Sequence, residues 1–448
     1  MNIENNVHST WTKELIRPPE IPTKADVVII GGGIVGISTA YYLAKQGIDV
    51  CLCEKGHISG EQSGRNWGWV RVQGRDEREI PMMLRSLDIW RNLSNELGED
   101  VGYREDGCLY TAYSEKELGR YQAWIDLAND YDIKTSFVSR KALEDAAGMA
   151  SKNWVGGIIT RTDGRAEPQL ASLALSRGAK RNGASVLTNT AVRGLETSSG
   201  KVSAVVTEYG RINTSIVLCA AGAWSSLFCG SLDIKVPQLR VRGTVARTNI
   251  INSPIKGNIF DKNIGIRKRN DGGYTVAHGS VLDHSITPST FRYAPKYLRA
   301  LWKEFNALKI SIGMDFFDEL KVPKKWKLDE KSPFEYMRVL NPSPNQSVID
   351  DIERSLGSIF PEFKNASIIE SWAGMVETTP DVAPIICESD NIPGFFIGTG
   401  FSGHGFGIGP AAGQAIAEMI ENKNTIDLAP FKLKRFFDGT PIRPNSTI

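Results

Sequence analysis

Histidine is scarce, with five in 448 residues, and no Cys/His cluster has the spacing of a zinc site. A metal centre is not expected. Cysteine is scarce too. The six (Cys51, Cys53, Cys108, Cys219, Cys229, Cys387) form no C-x-x-C pair and read as buried small hydrophobes in a reducing cytosol. No apolar run approaches the ~18 residues of a membrane span. The first 24 residues are polar, hold Pro18, Pro19 and Pro22, and lack the apolar core of a signal peptide. A cytoplasmic protein with a loose arm over residues 1–23 is expected. A charge surplus is also missing: 53 Lys+Arg against 51 Asp+Glu leaves +2. That excludes a general affinity for nucleic acid, which needs a basic excess to neutralise phosphates. With 41% hydrophobic and 23% charged residues, global disorder is excluded as well. At about 150 residues per domain, the length suggests two or three domains.

What is present begins at residue 26. The β-branched run 26–31 reads as a buried parallel strand. Gly31-x-Gly33-x-x-Gly36 follows, then a helix over 37–46 stopped by Gly47, then a second strand over 48–53 ending in Glu54. Gly31 permits the tight turn, Gly33 lets backbone approach a pyrophosphate, and Gly36 lets the helix pack on the sheet. The helix N-terminus aims unpaired N–H groups at phosphates. Glu54, 18 residues after Gly36, suits the ribose hydroxyls of adenosine. The strand–GxGxxG–helix–strand–Glu unit predicts a Rossmann-like dinucleotide site. The loop from Gly60 to Arg71 is polar, Gly-spaced and aromatic, which suits a segment running along a flavin.

A second glycine constellation spans residues 395–417. A short strand ends near Gly398, glycines recur at 400, 403, 405, 407 and 409, and Pro410 is expected to open a helix. A helix N-terminus aimed at the flavin pyrimidine ring favours the negative charge of the reduced ring. His404 lies in that loop, as a positional residue or a proton relay. A third element, residues 216–222, is an apolar strand closing in Ala220-Ala221-Gly222. A helix over 167–182 and strands over 185–190, 192–196 and 201–208 complete the pattern.

These elements, in this order, resemble the amino-acid-oxidising flavoproteins: D-amino-acid oxidase, glycine oxidase, sarcosine oxidase and dimethylglycine dehydrogenase. The resemblance covers nearly the whole chain from residue 24. Within the group, the chain is most similar to the bacterial L-amino-acid deaminases. It shares Glu54-Lys55-Gly56, Ile58 and Gly60-Glu61-Gln62-Ser63, then Arg193 to Thr197, then Ser332-Pro333-Phe334-Glu335. The resemblance implies an α/β fold, in which a Rossmann-like FAD-binding domain is interleaved with a mixed-sheet substrate domain. It implies FAD contacts at Gly31, Gly33, Gly36, Glu54, Lys55, Ser63, Arg65, Asn66, Val192, Gly222, Gly403, His404, Gly405 and Phe406. Some relatives carry a covalent-flavin histidine or cysteine where this chain has Arg65 or Gly374, so noncovalent FAD is implied. A lysine that helps hold the carboxylate in sarcosine oxidases is replaced by Gly407. Arginines are the alternatives, because a guanidinium fork matches a carboxylate. Arg267, before an Asp271-Gly272-Gly273-Tyr274 turn, is the first choice and Arg71 the second; Arg240, Arg242 and Arg338 are weaker. Tyr274 and Trp372 are pocket or core residues.

The implied reaction is oxidation of an amino acid, L favoured, by hydride transfer from Cα to flavin N5, with hydrolysis to a keto acid and ammonia. No acid–base dyad is evident, which suits an amine that binds neutral. Alternatives are a secondary or N-methyl amine, a hydroxy acid or polyol, and a non-catalytic flavoprotein subunit. The FAD domain is expected at 1–72, 150–235 and 370–448, the substrate domain at 73–149 and 236–369. Residues 295–328 combine Trp302, Phe316, Phe317 and Trp326 with Lys321, Lys324, Lys325 and Lys327. They parallel a membrane-associated insertion of the deaminases. One reading is a peripheral contact at the inner membrane that passes electrons to the respiratory chain. The preferred one is an amphipathic helix pair covering the substrate site. Oligomeric state is not legible.

Overall fold

The structure is a computed structural model that describes residues 20–147, 153–304 and 308–444. Most of the expected arm lies outside them. Its last residue, Thr23, is tied down, because its carbonyl accepts from Asn213 N at 3.0 Å.

A six-stranded sheet carries the nucleotide fingerprint. Its order is Ile385–Glu388, Phe395–Thr399, Ile216–Cys219, Val27–Ile30, Val50–Cys53 and Ser185–Leu187. All neighbours are parallel except Ile385–Glu388, which returns antiparallel on one edge. Val27–Ile30 and Val50–Cys53 are buried on both faces, as near-continuous β-branched and apolar runs require. Helix Ile34–Lys45 packs on helices Gly405–Ile420 and Pro168–Arg181 over one face. It starts three residues before the sequence suggested, since Gly33 already serves as its N-cap.

A ten-stranded mixed sheet forms the second body. Its longest pairing joins Leu239–Thr248 to Ile368–Thr378, antiparallel. Strands Cys108–Ala112, Thr135–Ser139 and Gly156–Thr160 lie at one end. The boundaries expected at 150 and 370 therefore move. Gly156–Thr160 belongs to the large sheet because it pairs with Cys108–Ala112, and Ile368–Thr378 belongs to it through Leu239–Thr248. A three-stranded sheet, Arg211–Asn213, Lys201–Thr207 and Val192–Ser198, carries the strands expected at 192–196 and 201–208.

Two distant motifs meet. Arg193 Nε donates to Glu335 Oε1 at 2.9 Å, and Glu335 closes a capping box with Ser332 at the start of Pro333–Tyr336. Pro410 does not open its helix. The helix begins at Gly405 and Pro410 lies inside it. Proline lacks an N–H and crowds the carbonyl four residues back. In the same stretch the Gly407 carbonyl looks outward, accepting from Ser86 Oγ at 2.7 Å and Trp90 Nε1 at 2.8 Å.

The segment after residue 287 is helical, Pro288–Glu304 and Met314–Lys321. Its lysine cluster is largely neutralised, with Lys321 facing Asp318, Lys324 facing Glu319, Lys325 facing Asp233 and Lys327 facing Glu330. Trp326 packs on Phe334 and donates to Arg193 O, so it is structural. Trp302 and Ile312 stand out at 88% and 79% exposed. No helix among the described residues is long and apolar enough to cross a membrane.

Candidate active site

The nucleotide end is built from close approach. Gly31 has φ of 111°, and a Cβ there would lie 2.4 Å from the Ala220 carbonyl oxygen. A Cβ at Gly36 would lie 2.1 Å from Gly31 O. Only glycine lets the turn, the helix and the neighbouring strand end converge. Ser63 Oγ accepts from Ile34 N at 2.9 Å and so takes one orphan donor of the first helical turn. Glu54 accepts from Gly32 N and Gly56 N, both at 2.7 Å. Burial pushes its carboxyl up, and the two N–H donors oppose the shift. Each oxygen keeps a lone-pair site for a ribose hydroxyl.

A cleft runs from Thr190 and Val192, past Gly31–Gly33 and Glu54, to Gly222, Gly403, Gly405 and Phe406. Its donors fit FAD: a glycine-lined helix N-terminus for a pyrophosphate, a carboxylate for a ribose, and apolar walls. Among the described residues no cluster of side chains has the makings of a metal site.

The other expected contacts divide. Asn66 lines the cavity, its Oδ1 accepting from Gly68 N at 2.7 Å. Lys55 reaches the wall, but its ammonium is held by Glu61 at 2.7 Å and by the Met337 and Arg338 carbonyls. Arg65 turns away from the cavity. It donates to Asn341 Oδ1 at 2.6 Å and Ala373 O at 2.9 Å, fastening the 60–71 loop to strand Ile368–Thr378. Beside it, a Cβ at Gly374 would come 1.9 Å from Gln62 Oε1.

The arginines divide more sharply. Arg267 is 1% exposed, and its fork is filled by Glu167, Nη1 to Oε1 at 2.9 Å and Nη2 to Oε2 at 3.3 Å. A substrate carboxylate would have to displace that partner, so the first choice of anchor gives way. Arg242 is paired with Asp283, and Arg338 with Glu208. Arg240 donates to Ala223 O and lies over Trp224. Arg71 carries no ion pair among the described residues. Its guanidinium stands 5.5 Å from the Tyr110 ring centroid and donates to Gln73 O. Tyr274 and Trp372 are structural: the Tyr274 hydroxyl donates to Ile255 O, and Trp372 Nε1 to Arg65 O.

His404 caps the helix that ends the cavity, but its Nδ1 faces inward, 3.7 Å from Glu79 Oε2. Burial, then the charges of Arg75 and Arg71, hold its imidazole well below the ordinary histidine range. Two acids were missed in the sequence. Glu377 lines the cavity, and burial pushes it up to about 7. Its signal is a lone charge after the apolar stretch 373–376. Glu79 is fully buried and also pushed up to about 7 by burial. It stands among charged neighbours, 75–79, that read as surface.

Residues 26–419 match the family described as DAO, FAD dependent oxidoreductase. The chain belongs to this family. Its DAO relatives include the L-amino acid deaminase of Proteus myxofaciens, solved with anthranilate. That structure is 36% identical, covers 93% of this chain and 94% of its own, and superposes with a TM-score of 0.90. The L-amino acid deaminase from Proteus vulgaris is 30% identical over 94% of this chain and 99% of that one, with a TM-score of 0.89. Sarcosine oxidase subunit beta of Rhodobacter capsulatus is 24% identical over 439 residues, 96% of this chain and 93% of that protein. The DAO chain described here is thus an FAD-dependent oxidoreductase.

Proposed function

We propose that the protein oxidises an L-amino acid at Cα to the imino acid, which water converts to a keto acid and ammonia. The observation that carries the reading is a guanidinium with no carboxylate partner among the described residues, Arg71, on the segment that leaves the cavity wall at Asn66. Whole-chain likeness to two L-amino acid deaminases supports it. FAD, when bound, supplies the acceptor for the hydride that leaves Cα. Arg71 takes the substrate carboxylate in its fork and so fixes which face of Cα is presented. Tyr110 beside it and Trp69, each in ring contact with Phe260, wall off water and offer a surface to an apolar side chain. The cofactor is held without a covalent bond, since glycine occupies position 374 and Arg65 is spent on Asn341 and Ala373.

A secondary-amine substrate is the second reading, favoured by the full-length likeness to sarcosine oxidase subunit beta. Anaerobic mixing of the holoenzyme with L-, D- and N-alkyl amino acids separates the two. Bleaching by primary L-amino acids is expected. Bleaching by N-alkyl substrates alone overturns the first reading, and none with any amine overturns both. The exposed apolar residues Phe291, Leu298, Trp302, Ile312 and Met314 support a peripheral lipid contact, through which a membrane-borne acceptor reoxidises the cofactor.

A further inference from the structure

Behind the first turn of helix Gly405–Ile420 lies a second polar cluster. Neither oxygen of Glu79 has a hydrogen-bond partner, and both are sealed from solvent. Arg75 Nη1, Gln73 Nε2 and His404 Nδ1 are sealed and unbonded too. The gaps between them are slightly too long for direct bonds: 4.0 Å from Arg75 Nη1 and 3.7 Å from His404 Nδ1, each to Glu79 Oε2. Buried polar groups in native proteins find partners, and gaps of this size are where ordered water bridges.

The groups facing Glu79 come from three segments. Arg71 and Arg75 follow the cavity loop, Asp76 and Arg78 belong to its own turn, and His404 comes from the helix. Arg78 is occupied by Asp76 and Asp381. Asp163, which faces Arg71 and Arg75, spends its oxygens on Val72 N at 2.7 Å and Gln73 N at 3.1 Å. Glu79 is therefore the buried carboxylate of this group with both oxygens free. His404 has two ends. Nδ1 faces Glu79, while Nε2 has no hydrogen-bond partner among the described residues and is not among the sealed, unbonded atoms. The ring sits between Gly403 and Gly405, both of which line the cavity.

An α-amino acid arrives as an ammonium, which must lose a proton before Cα can release hydride. We propose that Glu79 accepts this proton through His404. An N–H bond of the ammonium breaks, the proton crosses the imidazole or a bridging water, and an O–H bond forms on the Glu79 carboxylate. The inference rests on the amino-acid reading above. Glu79 does not touch substrate; it acts through His404. Burial raises its carboxyl to about 7, which brings its proton exchange into the neutral range, while His404, held neutral, passes a proton without storing it.

The test uses the holoenzyme, Glu79→Gln and His404→Asn. Rapid-mixing flavin reduction is followed against pH, and infrared difference spectra are taken against pH without substrate. The wild type is expected to gain reduction rate through an ionisation near neutral pH. Glu79→Gln should lose that inflection, fall by roughly 10²-fold or more at neutral pH, and recover at high pH where the free amine is supplied. His404→Asn should lose the inflection in rate but keep the carboxyl titration in the infrared. A wild-type pH profile in Glu79→Gln overturns the proposal. So does the same infrared titration in wild type and Glu79→Gln, whatever the substrate. A wild-type profile in His404→Asn overturns the route. If the infrared titration is present but no amino acid reduces the wild-type flavin, the amino-acid reading has failed, and the relay falls with it.

Discussion

Replacing Arg71 with alanine separates the two candidate anchors. Among the described residues the Arg71 guanidinium has one acceptor, the Gln73 carbonyl, and no carboxylate. A substrate carboxylate would add two charge-assisted hydrogen bonds in a setting already partly closed by Tyr110. At about 1.5–3 kcal/mol each, they sum to about 3–6 kcal/mol. With 1.4 kcal/mol per decade, the dissociation constant should rise by roughly 10² to 10⁴. Rapid anaerobic reduction at varied amino acid concentration reads that constant directly. The flavin content should be unchanged, since Arg71 does not line the cavity. Arg71→Lys should recover only part of the loss, because an ammonium cannot match a carboxylate bidentately. Arg267→Ala should behave differently. It leaves Glu167 buried without its partner, a loss of about 3–5 kcal/mol of stability, and should lower Tm while the dissociation constant stays within a few-fold. The reasoning is refuted if Arg71→Ala binds substrate within threefold of wild type, or if Arg267→Ala alone loses it at unchanged Tm.

Acid precipitation should release all the flavin into the supernatant; a yellow pellet would show a covalent link and contradict the noncovalent assignment. Glu377→Gln should gain stability over wild type as pH rises. The wild-type carboxyl holds its proton up to about 7 when folded but only to 4.5 in the reference chain, so the wild type loses stability across that window. The gap in apo-protein urea stability should widen by up to about 3 kcal/mol between pH 5 and 8; a constant gap counts against a buried acid there. Trp302→Ser with Ile312→Ser should abolish flotation with anionic vesicles if the apolar patch meets lipid. Equal flotation of variant and wild type would reject that surface.

The nucleotide half was readable because glycines there answer to geometry that only glycine meets. Gly31 and Gly36 are where backbone carbonyls approach, and the carboxylate of Glu54 closes the same turn. The substrate half was less readable. Arg267 looked like an anchor because its surroundings in sequence, Lys268, Arg269 and Asp271, are polar; its partner Glu167 is 100 residues away and visible only once the sheet is folded. Glu79 shows the reverse error. A glutamate among charged neighbours reads as solvated, yet helix Ile80–Leu97 turns it into the core against helix Gly405–Ile420. Pro410 misled for a local reason: proline favours a first turn, but here glycines upstream already permit the helix, and the Gly407 carbonyl in the same stretch is met by Ser86 and Trp90.

The order of the six-stranded sheet also bears on how the chain is made. Ile216–Cys219 sits between Val27–Ile30 and Phe395–Thr399, so its outer edge stays unpaired until the last of these leaves the ribosome. That is roughly 175 residues later, on the order of 10 to 40 s at ordinary rates of synthesis. During this interval a flat, apolar strand edge is open to other chains. Slower growth temperatures and chaperone supply should therefore govern yield more than the stability of the finished protein. Any truncation before residue 395 would leave the fingerprint at Gly31 in a sheet that cannot close.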